Sequence, residues 1–531
     1  MGGNETNRLI KSAMLLTLAG LASKILSAGY RIPLQNLTGD IGFYIYQQVY
    51  PILGVSLVLA LYGFPSALSK IAVDLKDSGE RLTLANFFAP LFFILSALNG
   101  AFFLFLFFNA ASLALWVGDA NLTDAYRLAS FVFLFIPFTA LARGFFQGEY
   151  EMKPVAFSQV GEQFIRVSII IFAAVYIVNQ SQNLYKIGEA AALASITGAG
   201  AAILVLAVYF VKRKPFSKHH HATVPWNFYV RTVLTLGIAA ALNHMVLLVI
   251  QFADAFTLLP GLLQHGLSKI EAMEAKGVFD RGQPLIQLGT VLGSSFALAL
   301  IPSISKRKLK NKPIQIYHYI RTSMLFSFYL AAGASLGLIV IFPEANQLLF
   351  QNDKGTFELQ ILVLSIFLSS MAITASSILQ GLGYIKRTAG FILIALFIKW
   401  IGNQLLVPLF GITGSAAATV ISLFVLCIIV LFELNRKLPE LKFSREINWS
   451  ALSKAAVAMI VFLLLTDYIF TNWIGNRLAL LLYVILVAIA GGFIYIFSLL
   501  KGRAFTESEL RMLPYASFFI RIHNGRNKYE S

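Results

Sequence analysis

Residues 85–108 read ANFFAPLFFILSALNGAFFLFLFF, an uncharged run with apolar side chains on every face of any helix drawn through it. A helix that is hydrophobic all round belongs in a buried core or in a bilayer. A run of about 20 such residues matches the hydrocarbon thickness, where a helix satisfies its own backbone hydrogen bonds. Similar runs recur on both sides of this one. Fourteen candidates lie near residues 9–32, 42–68, 85–108, 126–147, 155–178, 189–211, 228–257, 277–304, 317–342, 357–380, 388–410, 414–433, 450–471 and 477–500, the long seventh and eighth being expected to kink or tilt. The fold class expected is all-α, a polytopic membrane protein.

Composition supports that reading. Of 531 residues, 58% are hydrophobic and only 13% charged, with a mean hydropathy of +0.74. A soluble chain carries about 25% charged residues, so this one is unable to cover the surfaces of several globular domains. The single cysteine, Cys427, excludes an intrachain disulfide and a thiolate metal cluster, and reads as a small core or lipid-facing side chain. Arg8 and Lys11 followed by an apolar stretch look like a secretion signal. The stretch runs on to about Pro33 and many similar ones follow, so an uncleaved first membrane helix is the better reading.

A net charge of +17 and a pI near 9.7 raise a nucleic-acid hypothesis, which the positions of the charges remove. An even number of spans puts both termini on one side of the membrane. That side holds 31 of the 42 Lys and Arg residues, whereas the opposite loops hold six: Arg127, Lys186, Lys269, Lys276, Lys354 and Arg477. The positive-inside rule then makes both termini cytoplasmic. The loops KRKPFSKHHH from Lys212 and KRKLKNK from Lys306 are expected to touch anionic lipid headgroups. The run His219, His220, His221 has metal-ligating side chains but no partner ligands nearby, and reads as a solvated linker. No metal and no cofactor are expected.

Signals recur at a nearly constant offset. GFYIYQQVYP from Gly42 matches GVFDRGQP from Gly277, FPSALSK ending at Lys70 matches IPSISK ending at Lys306, and FQGEYEMKP from Phe146 matches LQGLGYIKR from Leu379. Arg166 pairs with Lys399, and GEAAALA from Gly188 with GSAAATV from Gly414. A duplicated six-helix unit follows, both copies sharing one orientation, with substrate expected between them. The organisation expected is a lobe over 1–227, its repeat over 228–449, two further helices over 450–500 and a tail over 501–531.

Five cations fall inside the expected spans: Lys24, Arg31, Arg166, Arg281 and Lys399. Each costs about 2.5–3.5 kcal/mol at a helix centre, so each should face water or an acid. Three acids, Glu162, Asp254 and Asp280, lie in the interior of the first twelve spans, Glu189, Glu358 and Glu433 standing at or next to span ends. Glu162 and Arg166 stand one turn apart and either neutralise each other or serve a site. Asp280 either pairs with a nearby cation or couples transport, and Arg31 either snorkels to the outer interface or faces a cavity. Gln48 and Gln283 occupy matched polar positions in the second and eighth spans. Surplus positive charge favours an anion such as phosphate or diphosphate. No phosphate loop, HExxH or nucleophile elbow occurs, so enzyme chemistry has no support.

The strings LASKILSAGYRIPLQNLTGDIGFYIYQQVYP (21–51), YGFPSALSKIAVD (62–74) and VFDRGQPLIQLGTVLGSSFALALIPSISK (278–306) resemble the stage V sporulation protein B branch of polysaccharide and lipid II flippases. That branch belongs to the multidrug/oligosaccharidyl-lipid/polysaccharide exporter superfamily. The resemblance implies two six-helix lobes, alternating access, a cationic cavity for a diphosphate and a groove on the last two helices for a polyprenyl tail. It places Lys24 at a cavity arginine and Asp280 with Arg281 at an Asp-Arg pair, with Arg31 about one residue from another cavity arginine. A family arginine in the second helix has no counterpart, Gln47, Gln48 and Tyr50 standing in that region.

The function expected is a flippase for a polyprenyl-diphosphate-linked saccharide, either a lipid II-like peptidoglycan precursor or another polysaccharide unit, vegetative or sporulation-linked. Lys24, Arg31 and Arg281 would hold the diphosphate, with Lys399 and Arg166 adding positive potential. Asp254, Asp280 and Glu162 are candidates for coupling to a cation or proton. Two alternatives stand beside it. A cation-coupled small-molecule exporter calls for an acidic cavity and twelve spans, and a non-transporting envelope scaffold calls for indifference to cavity charge.

Overall fold

A computed structural model describes residues 3–213, 224–300, 313–470, 476–512 and 516–524. Its regular elements are helices. The expected lipid-facing residues Lys214, Lys218 and Lys306, and the run His219, His220, His221, lie outside the described residues. Among the described residues, eleven helical stretches are long and apolar enough to cross a bilayer, and the chain is a multi-pass membrane protein. Two of them, Leu18–Asp77 and Ile385–Lys437, are 60 and 53 residues long, well over twice the roughly 20 residues that one crossing needs. Each is broken by one glycine. Gly39 (φ 68, ψ −174) and Gly411 (φ 58, ψ −138) adopt backbone angles that a Cβ disfavours, and the helix kinks there. The loops expected between the first and second spans, and between the eleventh and twelfth, are reduced to these kinks.

The seventh expected span is interrupted as anticipated. Trp226–Thr232, a π-helical turn Val233–Gly237, Ile238–His244 and Val246–Gln264 follow one another. The eighth begins earlier than expected, because the capping box of Ser268 and Glu271 starts a helix at Lys269, which ends at Asp280 before Gly282–Leu300 continues.

The chain forms two compact units, residues 1–288 with 384–422, and residues 289–383 with 423–531. The first unit takes in all of 1–227 and a large part of 228–449, so compactness does not follow the expected lobe boundaries. Within it, Met152–Asn179 packs along Gly3–Gly29 and Lys186–Arg213, and Phe64–Asp77 packs along Ile136–Gly148. Lys269–Asp280 packs on Arg31–Val58 through Gly277, where a Cβ would lie 2.1 Å from the Asp40 carbonyl oxygen. Only a residue without a side chain allows that approach.

The second unit is held by small and hydroxyl-bearing residues, as membrane helix contacts usually are. Thr290 bonds Ser369 (2.7 Å) and Ser327 bonds Thr374 (2.8 Å). Tyr495 of Arg477–Lys501 donates to the Tyr329 carbonyl at 2.8 Å, its ring lying over Gly333. The outer faces of Trp449–Phe470 and Arg477–Lys501 carry exposed Val461, Leu464, Leu482, Leu486 and Phe493, the surface a bilayer covers.

Candidate functional site

All the candidate site residues lie in the first unit. Most of its buried cations have carboxylates, and the counter-ions come largely from other helices. Glu162 on Met152–Asn179 accepts from two guanidinium groups at once: Arg166 one turn on, at 2.8 Å, and Arg143 from Ile136–Gly148, also at 2.8 Å. Arg143 further donates to Ser158 Oγ (3.1 Å) and the Ala60 carbonyl (3.3 Å), and is fully buried. Its position at the basic end of the fourth span makes it read as a flanking charge in the sequence, and only packing reveals it as an interior one.

Arg281 was expected to hold substrate and instead grips Asp40. Its Nε and Nη2 lie 2.9 and 2.5 Å from Asp40 Oδ1, and Nη2 lies 2.7 Å from Oδ2. Asp40 follows the Gly39 kink, in a stretch that reads as a loop, and Gln35 donates to it at 3.0 Å. Asp280 pairs with Lys276 at 2.6 Å. Lys276 reads as an outer-loop charge because the expected span begins at Gly277. The i,i+4 spacing of Lys276 and Asp280 is the signal that would have joined them.

Lys399 is likewise no bare charge. Its Nζ lies 2.7 Å from Asp254 Oδ1, 2.9 Å from Asn403 Oδ1, 2.9 Å from both the carbonyl and Oγ of Ser415, and 2.7 Å from Thr419 Oγ1. Asn403 donates to Asp254 Oδ1 (2.8 Å) and Thr257 (2.7 Å), and Ser415 donates to Asp254 at 3.0 Å. Asp254 Oδ2 is buried without a hydrogen-bond partner among the described residues. Gln251 donates to Gln283 at 2.9 Å, and Gln48 to the Tyr44 hydroxyl at 3.5 Å.

Arg31 is different. It is fully buried, and Nε, Nη1 and Nη2 all lack a hydrogen-bond partner among the described residues. Its guanidinium lies 3.9 Å from the centre of the Tyr50 ring. Tyr50 packs on Tyr46, which stands edge-on to Tyr30 and bonds its hydroxyl. These three tyrosines, with Ser27, Gln163 and Arg166, line a cavity of about 10 Å³, room for roughly one water. A cation–π contact of about 2 kcal/mol does not satisfy five N–H donors. Lys24 is half-buried and makes no ion pair among the described residues. The interior cations without a carboxylate therefore narrow to Arg31, with Lys24 beside it in the chain, while the triad of Glu162, Arg143 and Arg166 keeps one net positive charge.

Outside the spans, Asp119 is fully buried and accepts from Tyr44 (3.2 Å), Tyr185 (2.7 Å) and Lys269 (2.9 Å). Burial, with Asp119 beside it, pushes the Tyr185 phenol up to about 12, so it stays a donor at physiological pH. Neither Asp119 nor Asp40 stands out in the sequence, where both sit in short polar turns.

Comparison with known proteins accords with this architecture. Residues 9–308 match the family model described as polysaccharide biosynthesis protein. The chain is 37% identical to the "Uncharacterized membrane protein YabM" of Bacillus subtilis (strain 168), over 99% of this chain and 98% of that one. It is 24% identical to stage V sporulation protein B of the same organism, over 95% and 97%. Its fold is similar to a solved structure of the lipid II flippase MurJ in an inward closed conformation, with a TM-score of 0.63 and 13% identity over 91% of this chain and 98% of that one. The chain belongs to the polysaccharide biosynthesis protein family, in the stage V sporulation protein B-like branch of the multidrug/oligosaccharidyl-lipid/polysaccharide exporter superfamily.

Proposed function

We propose that this protein is a flippase that moves a polyprenyl-diphosphate-linked saccharide across the bacterial cytoplasmic membrane by alternating access, with both termini cytoplasmic. The observation that carries the reading is Arg31. A fully buried guanidinium with no hydrogen-bond partner among the described residues is costly at membrane depth, and a diphosphate is the group best matched to it in charge and bidentate geometry. Lys24 supplies the second cation. Gln48, whose side-chain carbonyl is buried without a partner among the described residues, accepts from a saccharide hydroxyl. The last two helices carry the apolar tail along their exposed faces.

The other expected cations serve differently. Arg166, Arg281 and Lys399 are held by Glu162, Asp40 and Asp254 and shape the lobes; the Arg281 and Lys399 pairs are neutral, and Arg166 with Arg143 on one Glu162 keeps a single net positive charge. An inside-negative membrane potential drives the anionic headgroup outward with about 2.3 kcal/mol per charge per 100 mV, which calls for no protein carboxylate. The acidic cavity of a cation exporter finds no support in the first unit, where Asp40, Asp119, Glu162, Asp254 and Asp280 each face a cation.

The test is leaflet accessibility of a fluorescent polyprenyl-diphosphate-linked saccharide in proteoliposomes. Charge-assisted hydrogen bonds of about 1.5–3 kcal/mol predict that Arg31→Gln slows flipping by about 10- to 100-fold. Flipping no faster than in empty vesicles, or an Arg31→Gln rate equal to the wild type, would sink the proposal.

A further inference from the structure

From the geometry around Lys399 we infer that its ammonium is a tethered cation, occupying an oxygen cage of the kind that holds a free alkali-metal ion. Five oxygens from four residues converge on Nζ at 2.7–2.9 Å: one carboxylate, one amide carbonyl, one backbone carbonyl and two hydroxyls. An ammonium has three N–H bonds, so five oxygens exceed what its hydrogen bonding requires. The set is all oxygen and carries one formal negative charge, which suits a hard monovalent cation. Lys399, Asn403 and Ser415 are fully buried, and Asp254 and Thr419 nearly so, so the charge inside the cage has no exchange with bulk water.

The cage is also held together by bonds that do not involve the ammonium. Asn403 is fixed by donating to Asp254 and Thr257, Ser415 donates to Asp254, and Thr419 donates to the Ser415 carbonyl. The oxygens are oriented by each other, as in a preorganised ion site. Lys399 reaches this cage from the same helical stretch that supplies Asn403, Ser415 and Thr419, and Val246–Gln264 supplies the carboxylate. Because the cation is covalently attached, it neither dissociates nor crosses the membrane. The consequence is a lobe locked in its cation-bound form, so that neither its stability nor its working cycle depends on free sodium or potassium. Removing the lysine side chain opens a latent alkali-metal site. The inference does not rest on which lipid is carried.

The experiment is thermal unfolding of the purified full-length protein in sodium, potassium or choline chloride at one ionic strength. The wild-type midpoint is expected to be the same in all three salts. Lys399→Ala is expected to show a midpoint that rises and saturates with sodium or potassium over choline, by about 2–4 °C. Adding Asp254→Asn should abolish that rise. A wild-type midpoint raised by an alkali ion and lost on Asp254→Asn alone would overturn the inference, since an exchangeable ion would then share the cage. So would a folded Lys399→Ala protein indifferent to both ions. If that variant is not recovered folded, the wild-type comparison decides by itself. Because no lipid substrate is involved, an unfavourable result here leaves the flippase proposal standing, and the reverse also holds.

Discussion

Glu162 shows what the buried charges of this protein do. One carboxylate accepts from Arg143 and Arg166, so the triad carries a net positive charge in a site without bulk water. Replacing it by glutamine leaves two guanidinium groups short of a counter-ion. Removing one partner of a buried ion pair costs about 3–5 kcal/mol, well above the 0–1 kcal/mol typical of an exposed pair. Glu162→Gln is therefore expected to lower the unfolding midpoint far more than Glu507→Gln, which breaks the exposed pair with Arg511. Equal midpoints in the same detergent would show that the triad contributes nothing. At this scale the sequence was half legible. The i,i+4 pairing of Glu162 with Arg166 follows from helical spacing, whereas Arg143 and Asp40 reach their partners from other elements. Burial of Lys276 was obscured because a boundary error of a few residues turned a core lysine into a loop lysine.

The helices were read with little difficulty, since apolar runs of the right length have few alternatives in a bilayer. Their ends and breaks were harder. Gly39 and Gly411 replace loops with a single residue of positive φ, and nothing in PLQNLTGDIG or PLFGITG distinguishes a one-residue kink from a short turn. Close approach is equally hidden. Gly277 brings Lys269–Asp280 onto the backbone of Arg31–Val58, and a methyl group there would sit 2.1 Å from the Asp40 carbonyl oxygen. The obstacle is backbone, which has no rotamer to change. Gly277→Ala is expected to cost about 1–3 kcal/mol by forcing the helices apart, and to loosen the Arg281–Asp40 pair with it. Gly390→Ala is the control, because no atom lies near its would-be Cβ. A Gly277→Ala midpoint matching that control would show that the contact relaxes freely.

Across the whole molecule, the internal duplication supplied cations at matched positions and not their counter-ions. Arg166 leans on Glu162 of its own helix, whereas Lys399, its match, depends on Asp254 from Val246–Gln264 and on Ser415 and Thr419 beyond Gly411. That arrangement bears on how the chain is made. A segment ending near Gly411 must carry a lysine at its centre into lipid, at about 2.5–3.5 kcal/mol, before two of the residues that solvate it have been synthesised. No charged residue occurs from Trp400 to Phe432 to anchor the turn in water. The two helices are therefore expected to enter the bilayer as one hairpin, the second carrying the first. Chains truncated at Gly411 should fail to hold residues 385–410 across the membrane in a glycosylation-mapping assay, and extension to Phe432, or Lys399→Leu in the truncated chain, should restore the crossing. Insertion of the unmodified truncated chain would show that the first helix needs no escort. The glycine kink thus acts during biogenesis as well as in the finished fold, making membrane entry of one helix conditional on translation of the next.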